Sequence, residues 1–281
     1  MVASQRFRVT PGEAIRLADI DPGHKGKHPD SAAAAPEIQR YAERLRELQY
    51  LLYAEGRRGL LICLQAMDAG GKDGTIRHVL GYMNPQGCRV QAFKVPTPQE
   101  AAHDFLWRAH RAMPGRGEVA IFNRSYYEDV LVPRVHGLVP KAVWSARYDS
   151  INAFERHLTD NGVHILKFFL HISRDEQLER FGKRLDDPNR HWKISEADYT
   201  ERAYWDDYQQ AYQDLLSRCS SEQAPWYVIP ADHKWFRNLA VSQIVVETLE
   251  SLGMTLPPST VDIAAIRRKY HHEVNKSRSG Q

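Results

Sequence analysis

The sequence predicts an α/β protein in which a parallel sheet is covered by helices on both faces. Three observations carry that prediction. Short apolar runs alternate with helical stretches from Gly59 to Leu252, the pattern of βαβ units. The 281 residues are 42% apolar and 26% charged, near the globular average and unlike a disordered, collagenous or disulfide-scaffold chain. A glycine-rich turn with a lysine joins the first apolar run to the helical stretch after it. A chain of this size is near the point where one core stops growing. The expectation is therefore one domain over 1–281, with an N-terminal arm (1–35), a lid (about 174–206) and a basic tail (256–281).

Residues 1–35 carry Pro, Gly, Asp and His without a sustained period and read as an arm and a loop. Pro36 is suited to a first helical turn. After it Ile38, Tyr41, Leu45, Leu48 and Leu52 step by three and four, so one apolar stripe docks on the body. About two heptads are too few to argue a coiled coil. The strands are expected at Gly59–Gln65, Arg89–Lys94, Glu118–Phe122, His164–His171 and Trp226–Pro230. The helices are expected at Lys72–Tyr82, Gln99–Ala112, Lys141–Leu158, Arg174–Leu185, Glu196–Leu216 and Trp235–Leu252. The tail reads as a frayed, solvated terminus.

Composition excludes several classes. The apolar stretch Leu60–Leu64 is far short of the roughly 20 residues that span a bilayer, and the first residues do not resemble a signal peptide. Cys63, Cys88 and Cys219 are odd in number and widely spaced, which argues against disulfides and zinc and makes a reducing cytoplasm the expected compartment. The net charge is +3. Residues 260–281 hold Arg267, Arg268, Lys269, Lys276 and Arg278 against Asp262 and Glu273, which accounts for all of it. The body is neutral overall, so neither a nucleic acid nor a membrane is an expected partner.

The stretch Leu61–Ile76 runs from an apolar strand through Ala66-Met67-Asp68-Ala69-Gly70-Gly71 to Lys72-Asp73-Gly74-Thr75 and a helix. Small residues let backbone N–H groups converge on an anion, and Lys72 supplies a point charge. The match to G-x-x-x-x-G-K-[ST] is imperfect: Ala66 replaces the first Gly and Asp73 the hydroxyl residue. Asp68 lies inside the loop, where a carboxylate repels phosphate unless a divalent cation lies between them. It is the first choice for a metal ligand, with an Asx-turn role as the competing reading. Asp73 reads as a favourable acid in a first helical turn, and Thr75 as a fallback hydroxyl.

Two further constellations follow. Asn123-Arg124-Ser125-Tyr126-Tyr127-Glu128-Asp129 ends the third strand, the carboxyl-end position where open α/β sheets bind ligands. Arg124 offers a planar fork to phosphate oxygens, while Glu128 and Asp129 either hold a metal or orient the arginine. Arg180, Lys183 and Arg184 share a helix face, Glu176 and Glu179 can pair with the first two, and Asp187-Pro188 breaks the helix. A charged helix hinged at proline reads as a lid closing on a polyanion. Arg57, Arg58, Lys94 and Arg134 extend a candidate basic track. His78, His103, His110 and His136 lack metal-ligand spacing and read as structural or surface residues.

The motifs Met67–Thr75 (MDAGGKDGT), Asp104–His110 (DFLWRAH), Phe122–Leu131 (FNRSYYEDVL) and His191–Ser195 (HWKIS) together resemble the polyphosphate kinase 2 family, in order, over roughly residues 35 to 255. The resemblance implies a three-layer α/β/α P-loop kinase-like fold with a helical lid. It also implies reversible phosphoryl transfer between inorganic polyphosphate and the nucleotides AMP, ADP and ATP. Mg2+, or Mn2+ in its place, is the implied cofactor, and a homo-oligomer, dimer or tetramer, the implied assembly. By the same resemblance Asp68 is a metal-binding catalytic carboxylate, Lys72 the loop lysine, Arg124 a phosphate clamp and Arg184, or else Arg180, the lid arginine. Ala69, Gly70, Gly71, Asp73, Gly74, Thr75, Asn123, Glu128, Asp129, Arg180 and Lys193 are the implied phosphate- and nucleotide-binding residues. Asn123 stands where many members carry Asp, and Glu128 where many carry Asn, a version that resembles the subgroup (class III) accepting both AMP and ADP. An ATP-dependent metabolite kinase and a non-catalytic polyanion-binding module remain as alternatives.

Overall fold

A computed structural model describes residues 3–279 of the chain. The chain opens with a single turn, α1 (Ala3–Arg6), and a segment that runs along the last strand of the sheet. There the Val9 N–H donates to the Trp226 carbonyl at 2.8 Å and the Val228 N–H to the Phe7 carbonyl at 2.9 Å. Val9 and Leu17 are buried, so the expected arm is packed against an edge that would otherwise expose unpaired backbone groups.

The first long helix, α2 (Ser31–Glu55), starts five residues before the expected Pro36. The Asp30 carboxylate accepts from the Ala33 N–H at 2.9 Å, and the alanine run, the strongest helix former, carries the helix through Pro36 at the loss of one backbone donor. Of its expected stripe Leu45, Leu48 and Leu52 are buried, while Ile38 and Tyr41 are half-buried and Ala42 fills the seam beside them. Next come β1 (Gly59–Ala66), α3 (Lys72–His78), β2 (Cys88–Ala92), α4 (Pro98–Ala101), α5 (Trp107–His110), β3 (Val119–Asn123), α6 (Glu128–Val135), α7 (Lys141–Asp160) and β4 (Val163–His171). They are followed by α8 (Arg174–Leu185), α9 (Glu196–Arg202), α10 (Trp205–Arg218), β5 (Trp226–Pro230), α11 (Lys234–Ser251) and α12 (Ile263–Ser279).

The five strands pair in parallel in the order β2-β3-β1-β4-β5. All eight β1 residues are buried, as a central parallel strand requires. One core packs α2 and α11 on one sheet face, around residues such as Leu48, Ile62, Leu170 and Ile244. The other packs α6, α7 and α10 on the opposite face, around Leu61, Tyr148, Phe169 and Leu215. This is the α/β/α layering expected of the chain.

Four expectations change. Gln99–Ala112 forms two separate turns, because the Asp104 side chain captures the Leu106 N–H at 2.9 Å and competes with helix continuation. The stretch Glu196–Leu216 splits after Arg202, where burial begins: α9 buries nothing, whereas α10 buries Trp205, Tyr212 and Leu215. A helix, α6, follows the Arg124 loop where none was expected. The basic tail contains the helix α12, with Ile266 and Tyr270 exposed, rather than a frayed strand of chain. No helix among the described residues is long and apolar enough to cross a membrane.

Candidate active site

The loop after β1 is shaped by close packing. A Cβ on Gly70 would fall 2.5 Å from the Ala66 Cβ and 2.9 Å from the Met67 carbonyl, so glycine is required there. Gly71, at φ 106°, lies in a region that side chains avoid. Ala69 (φ 60°) and Arg124 (φ 62°) are the non-glycine residues at positive φ among the described residues. Each conformation costs on the order of 1–2 kcal/mol, and strain of this kind concentrates at functional sites.

The Lys72 Nζ donates to the Ala66 carbonyl at 3.1 Å, folding the ammonium back over the loop. Burial, then the neighbouring Arg124 cation, lowers its pKa to about 8, against the opposing pull of Asp68, Glu128 and Asp73. Thr75, the fallback candidate, has its hydroxyl turned into the helix. It is fully buried and its Oγ1 donates to the Gly71 carbonyl one turn back, the usual resort of a threonine inside a helix.

Arg124 sits between two carboxylates. Its Nη2 lies 2.7 Å from Asp68 Oδ1 and its Nη1 3.1 Å from Glu128 Oε2. Glu128 first, and Asp68 with it, holds the guanidinium firmly protonated. Gln65 in β1 donates to the other Glu128 oxygen at 3.1 Å, so Glu128 is the residue that orients the arginine. Asp129 is not: it pairs with the buried Arg108 at 3.0 Å, one residue further round α6 and on a different side. Asn123 Nδ2 donates to Asp73 Oδ1 at 2.8 Å, tying the end of β3 to the first turn of α3.

The loop carrying Arg124 is anchored from below. The Tyr126 and Tyr127 hydroxyls both donate to Glu155 Oε1 at 2.7 Å. Lys167, fully buried, donates to Glu155 Oε2 at 2.5 Å and to the Cys219 carbonyl at 2.6 Å. Neither Glu155 nor Lys167 stands out in the sequence.

The α8 arginines divide. Arg180 is buried, and its N–H groups are committed to Glu176 (2.7 Å) and to the carbonyls of Ala69 (2.8 Å), Ala231 (2.5 Å) and Asp232 (3.1 Å). It props the loop after β1 from α8. Arg184 donates to the Lys193 carbonyl at 3.0 Å and lies 3.9 Å from Asp198, which joins α8 to the short 3-10 turn Pro188–Lys193. Lys193 in turn comes within 3.7 Å of Asp73. The helix ends at Leu185 and the Asp187 side chain caps the turn at Asn189, where the Asp-Pro break was expected.

These groups surround a cavity of about 1000 Å³ lined by Asp68–Gly74, Asn123, Arg124, Arg180, Arg184 and Lys193, together with Lys94 from the expected basic track. A smaller cavity of about 160 Å³ shares Asp68 and Arg124 and adds Glu128, His136, Tyr208 and Tyr212. His136 is bound there to Glu201 at 3.1 Å. Arg57 and Arg58 precede β1 and so lie at the opposite end of the sheet, where Arg58 donates to the Leu252 carbonyl. Arg134 pairs with Asp214 at 2.6 Å. The cavity also has lining residues that motif reading passes over: Phe93, Lys234, Arg237 and Asn238. Arg237 had a legible signal, because it falls on the helical stripe of Ala240, Val241 and Ile244, all buried.

No cluster of three His, Cys, Asp or Glu among the described residues forms a cage for a metal ion. Mg2+ does not need one, since it commonly binds one or two carboxylates plus substrate phosphates and water. Asp68 fits that mode. It lines the cavity, its side chain is 30% exposed, and one of its oxygens carries no hydrogen bond among the described residues.

Comparison with known proteins agrees with this geometry. The model of the family Polyphosphate kinase 2 (PPK2) matches residues 29–255. The chain is 52% identical to the AMP/ADP-polyphosphate phosphotransferase of Meiothermus ruber, over 90% of this chain and 95% of the relative. It is 48% identical to the ADP-polyphosphate phosphotransferase of Rhodopseudomonas palustris, over 92% and 94%. Its fold superimposes on the crystal structure of Polyphosphate Kinase 2 from Arthrobacter aurescens with a TM-score of 0.93 and 43% identity, covering 97% of both chains. With the glycine loop, Arg124 set between Asp68 and Glu128, and the layered sheet in place, the chain belongs to the polyphosphate kinase 2 family.

Proposed function

We propose that this protein transfers phosphoryl groups reversibly from inorganic polyphosphate to ADP and to AMP, with Mg2+ as cofactor. The observation that carries the reading is the Asp68–Arg124–Glu128 array beside the Lys72 loop: a carboxylate and a guanidinium at 2.7 Å on the wall of an anion-binding cavity. Acceptance of both AMP and ADP is supported by the Asn123–Glu128 version of the motif and by the name of the Meiothermus ruber relative.

The chemistry needs positioning and charge neutralisation more than covalent help. A P–O bond at the end of the polymer breaks while one forms to a phosphate oxygen of the acceptor. That oxygen is already anionic, so no general base is required. Lys72 and the loop N–H groups hold the donor phosphates. Arg124, kept in orientation by Glu128, clamps the phosphoryl group between donor and acceptor, and Arg184 and Lys193 bring the lid over it. Asp68 would hold the Mg2+, which when bound offsets repulsion between the two polyanions.

An ATP-dependent kinase is disfavoured because Thr75 is buried and Asp73 stands where a P-loop hydroxyl binds metal. The same reading takes the enzyme as a homo-oligomer, dimer or tetramer, supported by Val90 exposed on the edge strand β2 and Val95 just beyond it. Light scattering that returns a monomer would remove that part.

The test is a product assay with long-chain polyphosphate and Mg2+, with AMP and ADP offered separately. ADP and ATP are the expected products. Polyphosphate binding without nucleotide formation would leave a non-catalytic binding module.

A further inference from the structure

Arg237 lies on the first turn of α11 with 2% of its surface exposed. A buried guanidinium normally meets a carboxylate or a set of carbonyls. Arg180, its neighbour across the loop, has both. Arg237 has neither: its Nε and Nη2 share the single Asn238 Oδ1, at 3.2 and 2.8 Å. No carboxylate lies within 4 Å and Nη1 has no hydrogen-bond partner among the described residues.

Its position explains two loop glycines. A Cβ on Gly71 would fall 1.8 Å from Arg237 Nη1, and one on Gly74 2.9 Å from Nη2. The guanidinium is thus pressed against the backbone of the phosphate loop, and it lines the large cavity. Burial, then the nearby Arg180 cation, weakens its hold on its proton, the behaviour of a cation with no anion beside it. A guanidinium this deeply buried with no anion beside it is costly unless an anion arrives from the cavity it lines. The acids lining the cavity each have a partner other than Arg237: Asp68 takes Arg124, Asp73 takes Asn123 and Lys193, Asp187 takes Arg190, and Asp198 lies beside Arg184.

We infer that Arg237 is a substrate-binding residue that takes a phosphate of the polyphosphate donor, not of the nucleotide, through Nη1 at the back of the Lys72 loop. The two sides of the cavity thereby differ: an unpaired guanidinium at the back of the loop for the polymer, and a mixed-charge wall around Arg124 for the acceptor. This rests on the polyphosphate-donor reading above.

The test uses the full chain with Arg237→Met and Arg237→Lys, and inorganic tripolyphosphate as a nucleotide-free probe. The expected result for Arg237→Met is a KM for polyphosphate raised at least tenfold, a KM for ADP within twofold of wild type, and loss of the melting-temperature rise that tripolyphosphate produces. Arg237→Lys should recover part of each loss, because the ammonium keeps the charge without the fork. Equal rises in both KM values, or wild-type tripolyphosphate binding by Arg237→Met, would overturn the inference. Should the variants not fold, a crystal structure of the wild-type protein with tripolyphosphate decides: a phosphate oxygen in hydrogen-bond reach of Arg237 Nη1 supports it, and none there overturns it. Failure of the wild type to form ATP from polyphosphate and ADP would count instead against the donor reading.

Discussion

Asp68→Asn separates the charge of the loop carboxylate from its shape. In the structure Asp68 Oδ1 lies 2.7 Å from Arg124, which keeps Glu128 at 3.1 Å when Asp68 is neutralised. The arginine should stay in place, and the pair is partly exposed on both sides (39% and 30%), so its loss costs about 0–1 kcal/mol of stability. The melting temperature should fall by no more than about 4 °C. Function should respond very differently. A carboxylate about 4 Å from a phosphate charge repels it by about 4 kcal/mol at an effective dielectric near 20. With Mg2+ present, losing the bridging carboxylate should lower kcat/KM by up to about 10³. In EDTA the sign reverses: the neutral amide removes a repulsion, so metal-free tripolyphosphate should bind at least about tenfold tighter than to wild type. Calorimetry in EDTA and a coupled ATP assay with a Mg2+ titration measure both arms. If metal-free binding is unchanged or weaker and activity stays within tenfold of wild type, Asp68 is a turn residue and the metal argument is wrong.

Three other outcomes follow from the geometry. Because the free Lys72 amine titrates near 8 and a bound phosphate favours its charged form, tripolyphosphate binding takes up a proton. Affinity should be full below about pH 8 and decline as pH rises through it, and calorimetry of Lys72→Met should lose that slope. Glu155→Ala strands the Lys167 ammonium in the core, at about 3–5 kcal/mol, visible as a melting temperature about 10 °C lower; adding Lys167→Met should restore most of it. Arg184→Ala should lower kcat/KM for polyphosphate by about 10- to 100-fold with little thermal change. Arg180→Ala, which frees the carbonyls of Ala69, Ala231 and Asp232, should destabilise the protein; the reverse pattern would exchange the two roles.

Much of the fold was legible because it is written in local periodicity. Trp226–Pro230 and Arg174–Leu185 match the observed elements end to end, and the other strands differ by one or two residues. The misses have local causes as well: an Asp104 side chain that halts a helix and an Asp30 cap that starts one early. Within the site, Asp68, Lys72, Asn123, Arg124 and Glu128 come together as their motifs suggest, because each ends or follows β1 or β3, adjacent parallel strands whose carboxyl ends point the same way. Asp129 and Thr75 do not join them. Their neighbours along the chain give no sign that Arg108 and the Gly71 carbonyl claim them first.

The order of residues alone therefore determined the strands, the phosphate loop and the chemical character of its lysine and aspartate. Those properties depend on backbone conformation over a few residues and on the charge each side chain carries. Tertiary structure decided which cations are available to a ligand. Arg180 and Arg184 are four residues apart on one helix, yet one is saturated by carbonyls from two distant segments while the other reaches the lid turn. Arg237, 166 positions beyond the glycine it touches, is left without an anion. Whether a buried donor is satisfied depends on what the rest of the chain brings within about 3 Å of it, and no local pattern contains that information.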